Sequence, residues 1–336
     1  MDLKTLTEIN APSGHEQAIR RFLLDELKKL GFAPVLDRMG NVVVVKEGTG
    51  DAPRKRVMVS AHMDEVGLIV TSATEDGYLR IAAAGGIDPR VLVSKRVTVG
   101  EDKLPGVIGA VPIHLQSAAE RKHVLSMDEL LVDIGAKSKD EAECKAPMGT
   151  YISFDTPYVE YGDGFACGKA FDDRVGCLSL LRLLQEELPV DLVACFVSEE
   201  EVGCRGAKGA AFQQEPDIGI VLEGTTCNDL GDVPETAHVC EAGQGVTVSF
   251  MDGASIANRA LFRKALDVAK QENIPHQVKH SVSGGNDGGA IQRAREGVPV
   301  VVLSVPCRYI HSPSSVVKLS DVESQFALVK ALVKAL

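Results

Sequence analysis

The chain has no tryptophan and few aromatic residues of any kind, 4% in all and only five of them tyrosine. A cleft floored with aromatic rings, as expected for binding a polysaccharide, therefore has little to be built from. Cationic residues are also in deficit, with 36 Lys and Arg against 47 Asp and Glu, a net charge of -11. The longest basic stretch is Arg54-Lys55-Arg56, so the patch that nucleic-acid binding requires is absent and nucleic acid is excluded as a partner. Long apolar runs are missing too. Val42–Val45 and Val298–Val305 fall far short of the ~20 residues that span a bilayer, so no membrane partner is expected. The segment Met1–Asn10 has neither a charged n-region nor an apolar h-region, so no secretion signal is read there and a cytoplasmic location is expected. None of the eight cysteines forms a CxxC pair, which excludes a zinc-thiolate module and predicts reduced, mostly buried thiols.

What is abundant is small aliphatic sequence, in a chain that is 45% hydrophobic. Near-continuous runs of Val, Ala and Leu suit parallel strands buried on both faces. The length of 336 residues fits two domains at about 150 residues each. Ser13-Gly14-His15-Glu16 reads as a capping box opening a helix. Ala18, Ile19, Phe22, Leu23, Leu27 and Leu30 recur at helical spacing up to Gly31. Strands Asn41–Lys46 and Val57–His62 follow. Short strands at Gly67–Ser72, Tyr78–Ala83, Arg96–Val99, Gly106–Val111 and Thr150–Phe154, separated by Gly, Pro and Asp, predict a small barrel or sandwich. The only helical piece expected there is near Met127–Val132. Beyond Gly168 the alternation resumes: helix Arg174–Leu188, strands Asp191–Ser198 and Ile218–Leu222, helices Ser255–Glu272 and Gly288–Arg295, strand Val298–Ser304 and helix Ser320–Leu336. The fold expected is α/β, with a mainly parallel sheet covered on both faces. Residues 1–66 and 164–336 form it, interrupted by a β-rich domain at 67–163.

Acidic and histidine residues collect at the ends of these strands. His62 and Asp64 end the first buried run, and in extended backbone positions i and i+2 face one side. Asp64 can thus accept from one ring nitrogen of His62 and leave the other for a metal. Strand Asp191–Ser198 runs into Glu199-Glu200-Glu201, a cluster that is costly near an apolar strand unless a cation or proton relieves it. A solvated acidic turn is the plain alternative, but Val197, Val202 and the glycines of Gly203–Gly209 predict a tight turn beside the sheet. Asp172 and Asp173 precede a helix, where capping is their ordinary role. Glu223 ends the strand Ile218–Leu222, and His311 follows Val298–Ser304. In open α/β sheets ligands bind at the carboxyl ends of strands, and five such ends have no shared ordinary explanation. Carboxylate and imidazole without thiolate suit zinc, cobalt or manganese. Ligands spread from His62 to His311 point to a catalytic site rather than a small structural zinc module.

Five motifs then carry a resemblance. They are Ala61-His-Met-Asp-Glu-Val-Gly67, Lys169-Ala-Phe-Asp-Asp-Arg174, Glu200-Glu-Val-Gly203 with Arg205-Gly206, Gly284-Gly-Asn-Asp287 and Arg308-Tyr-Ile-His-Ser-Pro313. In this order they resemble the M42 family of metallo-aminopeptidases, which includes glutamyl and tetrahedral aminopeptidases and some members formerly labelled endoglucanases. The resemblance implies a three-layer αβα catalytic domain with a PDZ-like β domain inserted at 67–163, which serves dimerisation and substrate access. It implies two divalent ions per subunit, zinc foremost and cobalt or manganese as alternatives. Asp172 would bridge them, with His62 and Glu223 completing one and Glu201 and His311 the other. Glu200 would be the general base toward a metal-bridging water, and Asp64 would orient His62. The peptide between Asp172 and Asp173 is expected to be cis. Substrates would be peptides with a free N-terminus, and the assembly a homo-oligomer from dimer to dodecamer. Asp287 reads as a structural or substrate-side residue. The chain departs from the family pattern at Glu223, where many members carry Asp, and at Glu199, where Gln is frequent. Two other readings stand beside this one: a glycoside hydrolase using paired carboxylates, and a non-enzymatic assembly protein that keeps a metal site.

Overall fold

Strand Arg56–His62 lies in the middle of an 11-stranded sheet in the computed structural model, which describes residues 2–336. Val57, Val59 and Ala61 point into one apolar core and Met58 into another, so both faces are covered. This double burial is why the strand reads as one aliphatic run. Asp191–Val197 pairs parallel to it on one side and Ile218–Thr226 on the other, with Val300–Arg308 parallel beyond that. Outside these four, the sheet continues antiparallel. Val42–Lys46 and Val35–Leu36 extend one edge, and Ser315–Lys318, Phe165–Gly168 and Val159–Tyr161 extend the other. Val246–Ser249 also pairs antiparallel with Val300–Arg308, and His276–Val278 lies parallel to it. The sheet is thus mixed around a parallel core. A parallel pairing needs a long crossover, whereas the six residues between Arg308 and Ser315 can only bring the chain back antiparallel.

Helices Gln17–Lys29, Phe171–Leu183, Arg259–Gln271 and Leu319–Lys334 pack on one face through Ile19, Leu23, Leu180, Leu261, Leu328 and Val329. Arg205–Gln214 and Asp287–Gln292 cover the other with Ala207, Ala211 and Ile291. Three local expectations change. Ser13 does not cap a helix; the first long helix starts at Gln17, with no side-chain cap. Residues 203–209 are not only a turn, because Arg205 already opens a helix. The piece near Met127 is a single 3₁₀ turn, Met127–Glu129, followed by strand Leu131–Asp133.

Strands Gly67–Ala73, Leu79–Ala84, Leu131–Asp133, Leu104–Gly109, Arg96–Val99 and Tyr151–Phe154 close into an antiparallel barrel. Its own core includes Leu68, Leu79, Val97, Ile108, Val132 and Ile152. Closure leaves no open sheet edge. Val159–Tyr161 belongs to the large sheet, so the barrel strands end at Phe154. Where the chain leaves and re-enters the sheet, a buried ion pair joins the crossings: the Lys169 Nζ donates to both Glu65 oxygens, at 2.7 and 2.9 Å. Among the described residues, no helix is long and apolar enough to cross a membrane.

Candidate metal centre

Each strand of the parallel core delivers a polar residue at or just beyond its carboxyl end. His62 closes the strand Arg56–His62, Glu199, Glu200 and Glu201 follow Asp191–Val197, Glu223 lies within Ile218–Thr226, and His311 follows Val300–Arg308. Asp172 stands at the start of helix Phe171–Leu183, where Asp172 (φ -80°, ψ 108°) and Asp173 (φ -121°, ψ 48°) depart from helical geometry. The peptide between them is cis. Ala170, Glu199, Tyr309 and His311 all hold positive φ, between 55° and 58°. Left-handed backbone at non-glycine residues is uncommon and collects at functional sites.

The structure brings the sequence-derived candidates together. His62 Nε2 lies 3.3 Å from Asp172 Oδ1 and 3.6 Å from Glu223 Oε2. His311 Nε2 lies 3.3 Å from Asp172 Oδ2 and 3.3 Å from Glu201 Oε2. The two oxygens of Asp172 therefore face two different imidazoles, each with its own glutamate. His62 Nδ1 is directed at Asp64, 3.1 Å from its carbonyl and 3.4 Å from its carboxylate. That carboxylate has further work: it accepts from the Ser13 hydroxyl at 2.7 Å and from the Glu200 and Glu201 amides at 3.1 and 3.2 Å. Cys204 donates its thiol to Glu200 Oε1 at 3.3 Å. The loop after barrel strand Leu79–Ala84 closes one side, since a Cβ on Gly85 would stand 3.3 Å from the Glu201 Cβ.

Among the described residues, three groupings have donor atoms within 4.8 Å of one another: His62, Asp172 and Glu201; His62, Asp173 and Glu223; Glu200, Cys204 and Asp287. Asp173 is the weaker candidate of the paired aspartates. Its oxygens already accept from the His62 amide at 3.2 Å and the Gly176 amide at 2.9 Å, which makes it a buried cap. Asp172 Oδ1 also accepts from the Gly224 amide, at 3.1 Å, but unlike those of Asp173 both its oxygens face an imidazole.

Burial pushes Glu201 up to about 8 and moves Glu223 well above the usual carboxylate range. Burial also raises Glu200, and the Asp172 and Asp64 charges add to it. Asp172 goes the other way: burial opposes it, but bonds from His311 and His62 hold its carboxyl low. His311 rises to about 9 because Asp172 and Glu201 outweigh its burial. These carboxylates cannot all be charged without cations between them. Glu223 Oε1 is buried and has no hydrogen-bond partner. A divalent cation answers both facts, and the carboxylate-imidazole donor set suits zinc, cobalt or manganese.

Three contributors carry no signal for this site in the sequence: Ser13, whose spacing predicts a cap, and Cys204 and Lys279, which have no local pattern. Asp287, read from its motif as a structural or substrate-side residue, is fully buried with both oxygens unpartnered among the described residues, and burial raises its pKa well above normal. The cavity beside these groups measures about 140 Å³, and its lining includes Glu200, Glu223, Lys279, Asn286 and His311.

A mixed α/β sheet with a His/Asp/Glu cluster at its strand ends and an inserted β-barrel defines the class, a metallopeptidase. The chain belongs to the M42 glutamyl aminopeptidase family, which it matches over residues 40–328, and so is an aminopeptidase, an exopeptidase acting on peptide bonds. It is similar to the lysyl aminopeptidase of Pyrococcus furiosus, 33% identical over 345 residues, covering 99% of this chain and 96% of that protein. It is also 33% identical over 346 residues to the glutamyl aminopeptidase of Lactococcus lactis subsp. cremoris, covering 99% and 95%. The structure of Pyrococcus horikoshii TET1 peptidase, described as able to assemble into a tetrahedron or a large octahedral shell, aligns with a TM-score of 0.87. The identity there is 33%, with 99% of this chain and 98% of that one covered.

Proposed function

We propose that the enzyme is a two-metal aminopeptidase in which Asp172 is shared between the ions and Glu200 is the general base. The observation that carries this reading is the pairing at Asp172. One oxygen faces His62, which also faces Glu223; the other faces His311, which also faces Glu201. Two divalent ions bound by these five residues, zinc or alternatively cobalt or manganese, would supply Lewis acidity toward the scissile carbonyl and acidify the attacking water.

The rest of the chemistry falls to the chain. Glu200 carries a carboxylate raised above its ordinary value, which brings a proton acceptor closer to the working pH. The Cys204 thiol occupies its Oε1, so Oε2 is the oxygen left to take the proton from water and return it to the leaving amine. Asp64 fixes the Glu200 and Glu201 amides and orients His62, so base and ligands move as one unit. The acidic wall holds the free α-ammonium of the substrate.

Glu200→Gln keeps the shape and removes the proton acceptor. It is expected to lower kcat by about 10²–10⁴-fold while bound metal, read by elemental analysis, stays constant. Near-normal turnover would remove Glu200 from the base role. Loss of metal would exchange the roles of Glu200 and Glu201.

We also infer that the large sheet and its helices work as the catalytic unit, from 1–66 and from the segment after Phe154, because Val159–Tyr161 already pairs in that sheet, and that the inserted barrel mediates self-association and substrate access. Val111, Ile113, Leu115 and Val124 are 60–70% exposed in the segment after barrel strand Leu104–Gly109, an apolar set that a second copy would cover. Sedimentation velocity should show a particle larger than one 35.8 kDa chain, reduced in size by Ile113→Lys with Leu115→Lys. A wild-type enzyme of single-chain mass would overturn this.

A further inference from the structure

Glu200, Cys204 and Asp287 form a set of donors apart from the pairing at Asp172, with donor atoms within 4.8 Å of one another. None of the three is among the five residues that hold the two ions. Asp287 is fully buried, and among the described residues neither of its oxygens has a hydrogen-bond partner. Capping does not explain it. At the start of helix Asp287–Gln292 it is the Asn286 side chain that takes the Gly288 amide, at 2.9 Å. A buried carboxylate without a partner is costly and calls for a proton or an ion. Cys204 stands in left-handed backbone (φ 52°), with its thiol 3.3 Å from Glu200 Oε1. Bonds of about 2.3 Å to sulfur and about 2.0–2.2 Å to oxygen put two donors of a tetrahedral site about 3.5 Å apart, close to this spacing. Glu200 and Asn286 line the cavity of about 140 Å³, which gives an ion a way in.

We propose that Glu200, Cys204 and Asp287 form a third metal site, which takes a thiophilic divalent ion (zinc, cobalt or cadmium) and silences the enzyme. On binding, the Cys204 thiol proton passes to solvent and a sulfur–metal bond forms. Asp287 and Glu200 each donate one carboxylate oxygen, and no oxidation state changes. The two charges of the ion are matched by the Asp287 carboxylate and the Cys204 thiolate, so neither is left buried alone. The thiolate distinguishes this site from the resident pair, whose donors are carboxylate and imidazole. Soft donors favour zinc and cobalt over manganese, which prefers oxygen. An ion held here takes Glu200 away from the attacking water. That consequence rests on Glu200 as base in the two-metal reading; the site itself does not.

The test titrates cobalt into enzyme already carrying two ions, following bound metal by equilibrium dialysis, near-ultraviolet absorption, and turnover of the aminoacyl-p-nitroanilide it cleaves fastest. A third ion per chain should bind, and a sulfur-to-cobalt charge-transfer band should grow in step with it. Over the same range kcat should fall by about 10²-fold or more, the loss expected when a general base is removed. Manganese at the same concentrations should leave kcat unchanged. Cys204→Ser should keep two ions and lose the third ion, the band and the inhibition, each read against its own uninhibited rate. Asp287→Asn should weaken the third ion with Cys204 still present, and the wild-type titration needs no variant. Saturation at two ions without a thiolate band, or a band that persists in Cys204→Ser, overturns the site and leaves the two-metal aminopeptidase standing. A third ion with its band but undiminished turnover overturns the silencing and removes Glu200 from the base role.

Discussion

Ser13 and Glu16 have the spacing of a capping box, yet the folded chain uses them differently. The Ser13 hydroxyl donates to Asp64, while Glu16 accepts from the Gly14 amide and pairs with Arg20. In a capping box the Ser13 hydroxyl would accept from a helix N–H; here it donates instead to a buried carboxylate, a charge-assisted bond whose partner is in place only once the sheet has formed. Gly206 is a second residue whose meaning depends on distant partners. A Cβ there would stand 2.3 Å from Asn41 Oδ1 and 2.4 Å from the Ser198 carbonyl. Asn41 donates to the Gly206 carbonyl at 2.9 Å and accepts from the Ser198 amide at 2.9 Å. This close approach lets helix Arg205–Gln214 begin against the strand end from which the three glutamates emerge. Gly206→Ala would raise intrinsic helix propensity by about 1 kcal/mol. The clash should outweigh that gain, with a net cost of about 1–3 kcal/mol. Because the same contact sets the Glu200 and Glu201 backbone, kcat/KM should fall with it. Urea denaturation and steady-state kinetics together check both effects; an unchanged midpoint would mean that the turn has room to yield.

Elements were legible in proportion to how much of their stability is local or patterned. The long buried strands announce themselves because both faces demand aliphatic residues, as in Val57–His62 and Val300–Leu303. Amphipathic helices such as Gln17–Lys29 show their buried stripe of Ile19, Leu23 and Leu27. Strands of three or four residues, such as Val246–Ser249, His276–Val278 and Ser315–Lys318, are too short to display a period and exist through pairing with distant strands. Helix Arg205–Gln214 was hidden because its buried face is Gly206, Ala207, Ala210 and Ala211, small residues that carry no bulky apolar repeat. The candidate site follows the same division. Strand-end placement made His62, Glu201, Glu223 and His311 visible. Lys279 and Cys204 were not, since a cavity and its charge balance are properties of the assembled sheet. The link from Asp64 to the amides of Glu200 and Glu201 spans more than 130 residues of sequence and has no local signature either.

On the scale of the whole molecule, the cluster joins parts of the chain that lie far apart in sequence. Asp172, Glu200, Glu201 and Glu223 draw like charges into one buried region of a chain that already carries a net charge of -11. Cations that hold these groups bind the folded state and have no comparable site in the unfolded chain. Chelation should therefore lower Tm, and added zinc, cobalt or manganese should raise it with concentration. The gain should follow RT ln(1 + [L]/Kd), about 2.7 kcal/mol per site at a hundredfold excess over Kd. The barrel has its own apolar core and supplies none of His62, Asp64, Asp172, Glu200, Glu201, Glu223 or His311. If the two units melt separately, the metal-dependent shift belongs to the transition of the large sheet, and the barrel's transition moves only as far as the loop at Gly85 couples them. Differential scanning calorimetry across a metal titration separates these outcomes. A Tm indifferent to chelator would show that the carboxylates are relieved by protons rather than by cations.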